Sequence, residues 1–197
     1  MKPEFSQELE DAICEARRGE AASMGYLYRH FAPGLLRYLK GRIPSEAEDI
    51  SSETWISIAK AIRNFKGDAG DFRAWVFSTA RRRIIDHLRR GAVRPELKLV
   101  QDPDANSMPS VQFDFPGARL EVDEAVATLI AGLSDEQAEV VLLRVVGGLS
   151  AKEVAVMMSR PEGTIRVIQH RAIQKMAENL NSKTVTHEQS STFPLSK

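Results

Sequence analysis

Residues 149–172 read Leu-Ser-Ala-Lys-Glu-Val-Ala-Val-Met-Met-Ser-Arg-Pro-Glu-Gly-Thr-Ile-Arg-Val-Ile-Gln-His-Arg-Ala, and no other stretch constrains the fold as tightly. Ser150, with Glu153 three residues on, makes a capping box that starts a helix. Val154, Met157 and Met158 follow at helical spacing as its apolar stripe. Pro161 suits the first turn of a second helix, where its missing N–H costs nothing. In that second helix Ile165, Ile168, Ala172, Met176 and Leu180 recur at three- and four-residue steps and form the buried face. The opposite face holds Val167, His170, Arg171 and Gln174, flanked by Arg166 and Lys175. Such a face can donate to phosphates and base edges and touch a thymine methyl, as a helix lying in the DNA major groove does. An antiparallel helix hairpin with a solvated basic face would carry the same pattern, so the rest of the chain has to decide.

Composition narrows the class. At 197 residues and 43% hydrophobic content, the chain can bury one or two cores. Little β-branched alternation is present, which favours helices. No apolar run approaches the roughly 18 residues that cross a bilayer, and the start Met-Lys-Pro-Glu-Phe-Ser-Gln-Glu has no apolar signal core. The single cysteine, Cys14, cannot form an internal disulfide, which fits a reducing cytoplasm. Cys14 is expected to pack within its helix. The net charge is zero, yet it is unevenly spread. Residues 17–95 carry 16 Lys/Arg against 8 Asp/Glu. Residues 96–124 carry Lys98 and Arg119 against Glu96, Asp102, Asp104, Asp114, Glu121, Asp123 and Glu124. The first 16 residues are acidic too. Basic blocks separated by an acidic strap fit two nucleic-acid-binding modules on one string.

Periodicity predicts a helix over 7–18 through Leu9, Ile13 and Ala16, and another over 21–41 that buries Met24, Leu27, Phe31, Leu35 and Leu39. Pro33 is expected to kink the second or restart it. Ser45 with Glu48 predicts a capping box opening a helix over 46–63. Residues 64–70 read as a polar loop, and a helix is predicted from Asp71 to Arg90, stopping at Gly91. Residues 91–118 hold four prolines and no sustained period, which marks a linker. A helix is predicted from Leu120 to Ala131, and Ser134 with Gln137 caps the next, which ends at Gly147-Gly148. The expected architecture is all-α: an N-terminal helical bundle and a C-terminal helix-turn-helix domain joined by an extended acidic linker. The expected boundaries are 1–95, linker 96–119, 120–181, and a disordered tail over 182–197.

The first unit has its own constellation. Arg81, Arg82, Arg83, Arg89 and Arg90 lie within eleven residues of a helix whose other face is apolar. Phe72, Trp75 and Phe77 precede them, with the Phe65 loop before those. Cations that track phosphates beside rings that stack on bases suit single-stranded nucleic acid. A loop of small residues there could take an extruded base. The competing reading makes the rings core and the arginines a solvated face; Phe72 and at least one of Trp75 and Phe77 are expected in the core.

With these segments in hand, the chain resembles the extracytoplasmic-function sigma factors, a group of bacterial RNA polymerase specificity subunits. Four segments carry the resemblance in order. Residues 46–55, Glu-Ala-Glu-Asp-Ile-Ser-Ser-Glu-Thr-Trp, resemble the stretch that binds a coiled coil of the largest polymerase subunit. Phe-Lys-Gly-Asp at 65–68 and Phe-Arg-Ala-Trp-Val at 72–76 resemble the promoter-melting segment. Residues 80–90 resemble the helix that reads the −10 element, and Leu133 through Leu180 the domain that reads the −35 element. Ser52 stands where the family usually has Gln, Arg82 where Asn is common, Ile168 where many members have a basic residue, and Gln169 where many have an apolar one.

The resemblance implies roles for particular residues. Asp49, Ser52, Glu53 and Trp55 would bind core polymerase. Thr164, Arg166, Val167, His170 and Arg171 would contact the −35 duplex. Asn64, Phe65, Lys66, Asp68 and Trp75 would hold the melted −10 strand, with Arg81, Arg82 and Arg83 on its backbone. The acidic linker would thread the polymerase's positively charged RNA path. Core RNA polymerase, promoter DNA and an anti-sigma factor are the implied partners of a cytoplasmic chain that is monomeric when free. No enzyme activity, cofactor or metal is expected: the four histidines are scattered without ligand spacing. Asp49 and Glu53, four apart on one helix face, suit a protein-binding surface. The alternatives are a stand-alone helix-turn-helix regulator, which should need a ligand or dimer module that residues 1–95 do not display, and a helical adaptor with incidental basic faces.

Overall fold

The computed structural model describes residues 6–93 and 128–189, and every regular element among them is helical. Helix α1 spans Gln7–Arg18, with Glu8 and Glu10 in its first turn and Arg17 and Arg18 in its last, the arrangement its dipole favours. It stops at Gly19, whose φ of 102° lets the Gly19 N–H donate to the Ala16 carbonyl. Leu9, Ala12, Ile13 and Ala16 form its buried register. Cys14 falls outside that register and is exposed, contrary to the packing role expected of it.

Helix α2 spans Ala21–Arg42 and runs unbroken through Pro33. Burial of Leu27, Phe31, Leu35 and Leu39 on both sides of the proline holds the helix despite the hydrogen bond it forfeits. The Ser45–Glu48 capping box does not form. Ser45 is drawn into a 3₁₀ turn over Pro44–Glu46, and helix α3 follows over Ala47–Ala61 with no side-chain cap. A second 3₁₀ turn, Ile62–Asn64, leads into the loop before helix α4, Ala69–Val93. Helix α4 starts two residues earlier than expected because Asp68 caps it, and it passes Gly91. Leu27, Leu35, Tyr38, Leu39, Ile58, Phe72 and Val76 are fully buried where these four helices meet.

The second unit begins, within the described residues, with helical residues 128–130; most of the expected 120–131 helix and the whole 96–119 linker lie outside them. Helix α5, Asp135–Val141, opens on a complete Ser134–Gln137 capping box. It then widens into a π turn over Leu142–Val146, closed by the Gly147 N–H on the Leu142 carbonyl. Helix α6, Ala151–Met158, has the Ser150–Glu153 capping box. Ser159, at φ 53°, turns the chain, and helix α7 spans Glu162–Gln189. Pro161 stands just before its first residue, and its carbonyl accepts from Thr164 and Ile165. The helix continues eight residues past 181, where a disordered tail was expected, because no glycine or proline interrupts the sequence before Pro194.

The two units share one core. Tyr38, Phe77 and Ala80 of the first unit belong to the same buried apolar cluster as Leu142, Leu143, Leu149 and Ile165 of the second. The sequence pattern of two tethered domains gave no hint of this closure.

Candidate nucleic-acid interface

The first candidate site is built around the loop before α4. Asp68 Oδ1 accepts from the Asp71 N–H at 2.8 Å, and Asp71 Oδ2 accepts from the Asp68 N–H at 3.1 Å. This is a reciprocal cap in which aspartate takes the position usually held by glutamate or glutamine. Glu10 of α1 adds an acceptor for the Ala69 N–H at 2.9 Å. Gly67 sits at φ 151°, and a Cβ there would lie 2.6 Å from the Asp71 Cβ, so the loop needs glycine. The short loop and its three carboxylates fix the path on which Asn64, Phe65, Lys66 and Asp68 lie. Asn64 and Lys66 are exposed; Phe65 and Asp68 are half-buried.

Aromatic rings form a ladder from the core to this loop. Phe31 packs on Phe72 with centroids 5.5 Å apart, and Phe72 meets Phe65 edge-on at 5.4 Å. Phe65 then stacks on Trp75 at 5.1 Å and 13° between planes. Phe72 and Phe77 are core residues, as expected of Phe72 and one other ring, while Trp75 stays half-buried beside the loop. A parallel aromatic pair at the surface offers a flat, sequence-tolerant surface for a base.

The three arginines that follow do not act alike. Arg82 is exposed. Arg83 is bonded to Glu53 and Ser57 of α3. Arg81 turns away from solvent, with its Nε 3.2 Å from Glu139 of α5 and its Nη1 donating to the Met157 carbonyl of α6 at 3.2 Å. These contacts join a residue implied to grip the −10 strand to the second unit.

On α3, Asp49, Ser52 and Glu53 are exposed on one face. Trp55 is not: it is 6% exposed and packs edge-on to Tyr28 at 5.1 Å. Its register partners are Ser51 and Ile58, both buried, so a partner protein cannot reach the ring in this conformation. Ile56, 48% exposed and in line with Ser52 and Glu53, is an apolar member of that face which the sequence reading missed. Its signal was available, since an isoleucine falls on an otherwise polar helical stripe.

The second site is the outer face of α7. Thr164, Arg166, Val167, His170 and Arg171 are all exposed, opposite the buried Ile165 and Ala172. Arg166 Nη2 is 2.6 Å from Glu162 one turn earlier. Gln169 accepts from Arg144 Nε at 2.9 Å, and Arg144 also donates to the Leu149 carbonyl. Arg144 therefore braces α7 against the turn before α6, a role the sequence pattern did not suggest.

Besides Arg81, Arg73 and Arg42 of the first unit meet acids of the second. Arg73 lies 3.8 Å from Glu153, the capping residue of α6. Burial pushes its guanidinium below the ordinary range, and Glu153 and then Asp68 draw it back up. Glu139, buried, accepts from the Tyr38 hydroxyl at 2.7 Å and forms an ion pair with Arg42, whose Nε lies 2.7 Å from its other carboxylate oxygen. The Tyr38 phenol is raised well above its usual pKa, chiefly by burial, then by the charge and hydrogen bond of Glu139; Arg42 and Arg81 oppose the shift.

Residues 27–94 match the family described as Sigma-70 region 2, and residues 123–176 match Sigma-70, region 4. The chain is 31% identical over 177 residues to the ECF RNA polymerase sigma factor BldN of Streptomyces coelicolor, covering 89% of this chain and 67% of that one. It is 32% identical over 179 residues to the ECF RNA polymerase sigma factor ShbA of Streptomyces griseus, covering 83% and 91%. In fold it is similar to CnrH, solved in complex with the cytosolic domain of CnrY, at a TM-score of 0.59 and 21% identity over 89% of this chain and 99% of that one. It is also similar in fold to the sigma factor RpoE of Bartonella quintana, solved with the anti-sigma factor NepR, at 0.52 and 18% over 79% and 96%.

Proposed function

Because the chain belongs to the extracytoplasmic-function branch of the sigma-70 family, whose members bind core RNA polymerase and direct promoter-specific initiation, we propose a division of labour among its residues. The exposed face of α3 docks on core polymerase through Asp49, Ser52 and Glu53, with Ile56 as an apolar contact. The outer face of α7 enters the −35 major groove, where Arg166 and Arg171 donate to phosphates or guanine edges and Val167 contacts a thymine methyl. The Asn64–Asp68 loop and the Phe65–Trp75 stack hold a base of the melted −10 strand, while Arg82 and a released Arg81 and Arg83 follow its backbone. Extruding a base costs a few kcal/mol, which stacking of about 1–3 kcal/mol per base can offset.

One observation carries this reading: a surface aromatic step beside arginines on α4 and an exposed basic helix face on α7 occur in a single chain. The chain is thus a transcription initiation factor acting through binding. Among the described residues no helix is long and apolar enough to cross a membrane, and cytoplasmic action with polymerase follows from the proposed role. An anti-sigma factor is the proposed negative partner, as the Bartonella relative was solved with one.

Run-off transcription with purified chain, core polymerase and sheared genomic DNA tests the proposal. Initiation at discrete sites that depends on both components is expected. No initiation, together with tight binding of a palindromic duplex by the chain alone, would instead support a stand-alone regulator.

A further inference from the structure

We propose that helix α1 clamps both ends of the 64–68 loop, with Glu10 as the positioning residue that sets how sharply the loop distinguishes bases. This proposal rests on the −10 reading given above. The loop is entered from the Ile62–Asn64 turn and left through the first turn of α4. Helix α1 meets it at each end. At the exit, Glu10 Oε1 accepts from the Ala69 N–H at 2.9 Å. At the entry, the Arg63 guanidinium lies against the C-terminal end of α1, where a Cβ built on Gly19 would be 3.3 Å from Arg63 Nη2. That end carries the negative pole of the helix dipole, which favours a cation. From Glu10 to its last residue, Arg18, the helix is about 12 Å long, so one stiff rod spans the two roots of the loop.

The rod is itself held from its other side. Leu9, Ala12, Ile13 and Ala16 bury its inner face in the core. From α2, the Ser23 hydroxyl donates to Glu15, and the Tyr26 hydroxyl donates to Glu8 at 3.4 Å. Ala69 is fully buried, and its N–H is one of the donors that a helix start leaves without an intrahelical partner. The Asp68–Asp71 cap is local and travels with α4; the Glu10 bond ties that cap to α1. The consequence falls on selectivity. Stacking on Phe65 and Trp75 accepts any base. Hydrogen bonds to a base edge work only within roughly half an ångström, so a loop free to drift loses discrimination before it loses affinity. Helix α1 precedes residue 27, where the match to region 2 begins, so this control is supplied from outside the matched segment.

The test uses the full-length chain with core polymerase. One promoter recovered from genomic run-off transcription is carried as a barcoded library randomised at its −10 element, and transcripts are counted by barcode. Wild type should favour its best member over the median by roughly tenfold, the discrimination of one well-read base. Glu10→Ala should cut that ratio by about threefold, the equivalent of one lost hydrogen bond. Glu10→Gln keeps an amide oxygen in place and should retain the wild-type ratio. Arg63→Ala should narrow the ratio as well, whereas loss of a mere phosphate contact would lower every member uniformly. Core affinity and the response to −35 substitutions should stay at wild-type values in all three variants, which reports an intact fold. An unchanged ratio in Glu10→Ala, a uniform loss in either alanine variant, or an equal narrowing in Glu10→Gln would overturn the clamp. Failure of the underlying reading would show separately, as a wild type that initiates without regard to the −10 sequence.

Discussion

The Tyr38 hydroxyl donates to a carboxylate oxygen of Glu139 at 2.7 Å, bridging 101 positions of sequence in a buried seam. A hydrogen bond to a charged group in such surroundings contributes about 1.5–3 kcal/mol. Tyr38→Phe keeps the ring and its edge contact with Phe77, 5.6 Å away, and removes only the donor. Chemical denaturation should show a loss of about that size. A cycle combining it with Glu139→Gln should show strong coupling, and simple additivity would mean that the two groups do not interact in solution.

High pH tests the same pair. Burial first, then Glu139, holds the Tyr38 phenol well above its usual value, against the pull of Arg42 and Arg81. A folded-state pKa above the unfolded one stabilises the protonated form. That stabilisation is full below the unfolded value of about 10 and is lost as pH climbs through the raised folded value. Unfolding free energy of the wild type should therefore fall more steeply above about pH 10 than that of Tyr38→Phe. Below about pH 9 the two curves should run parallel. Equal slopes at high pH would contradict the assignment.

Phe65→Ala removes the ring that stacks on Trp75 at 5.1 Å. Stacking on a base is worth about 1–3 kcal/mol, so open-complex formation should fall at least several-fold while closed-complex formation is retained. Permanganate reactivity of thymines in the −10 bubble reads the difference, and unchanged reactivity would place the stack outside the melting step.

Arg171 is exposed on the outer face of α7, with none of the brace that Arg144 gives Gln169. Arg171→Ala should cost about 1–3 kcal/mol at promoters that depend on the −35 element, roughly tenfold in initiation. Affinity for core polymerase should be unaffected. An equal loss of polymerase affinity would contradict the role.

Local chemistry makes much of the fold legible in the sequence. The Ser134–Gln137 and Ser150–Glu153 boxes are contained in four residues each, and both formed. The exposed register of α7 follows from the helical spacing of its apolar residues, of which Ile165 and Ala172 are buried and Ile168 and Met176 half-buried. Failures came where a neighbour outside the window decided the outcome. Ser45 lost its cap to the turn begun by Pro44, and Pro33 was tolerated because four large side chains around it are buried. Trp55 was placed on the polymerase face by its motif, although its spacing from Ser51 and Ile58 already marked it as core. Glu139 was the least visible of all. An acid on a seven-residue helix reads as solvated, and only the arrival of Tyr38, Arg42 and Arg81 from a distant part of the chain makes its burial affordable.

The central claim is that α7 and the α4 loop read two promoter elements for one polymerase. Mapping transcript 5′ ends from core polymerase reconstituted with this chain on genomic DNA tests it most directly. The account predicts start sites that share two sequence elements, one near −10 and one near −35, with Arg171→Ala depleting the sites richest in the second. Start sites with no shared upstream elements, or a set identical for wild type and Arg171→Ala, would contradict it.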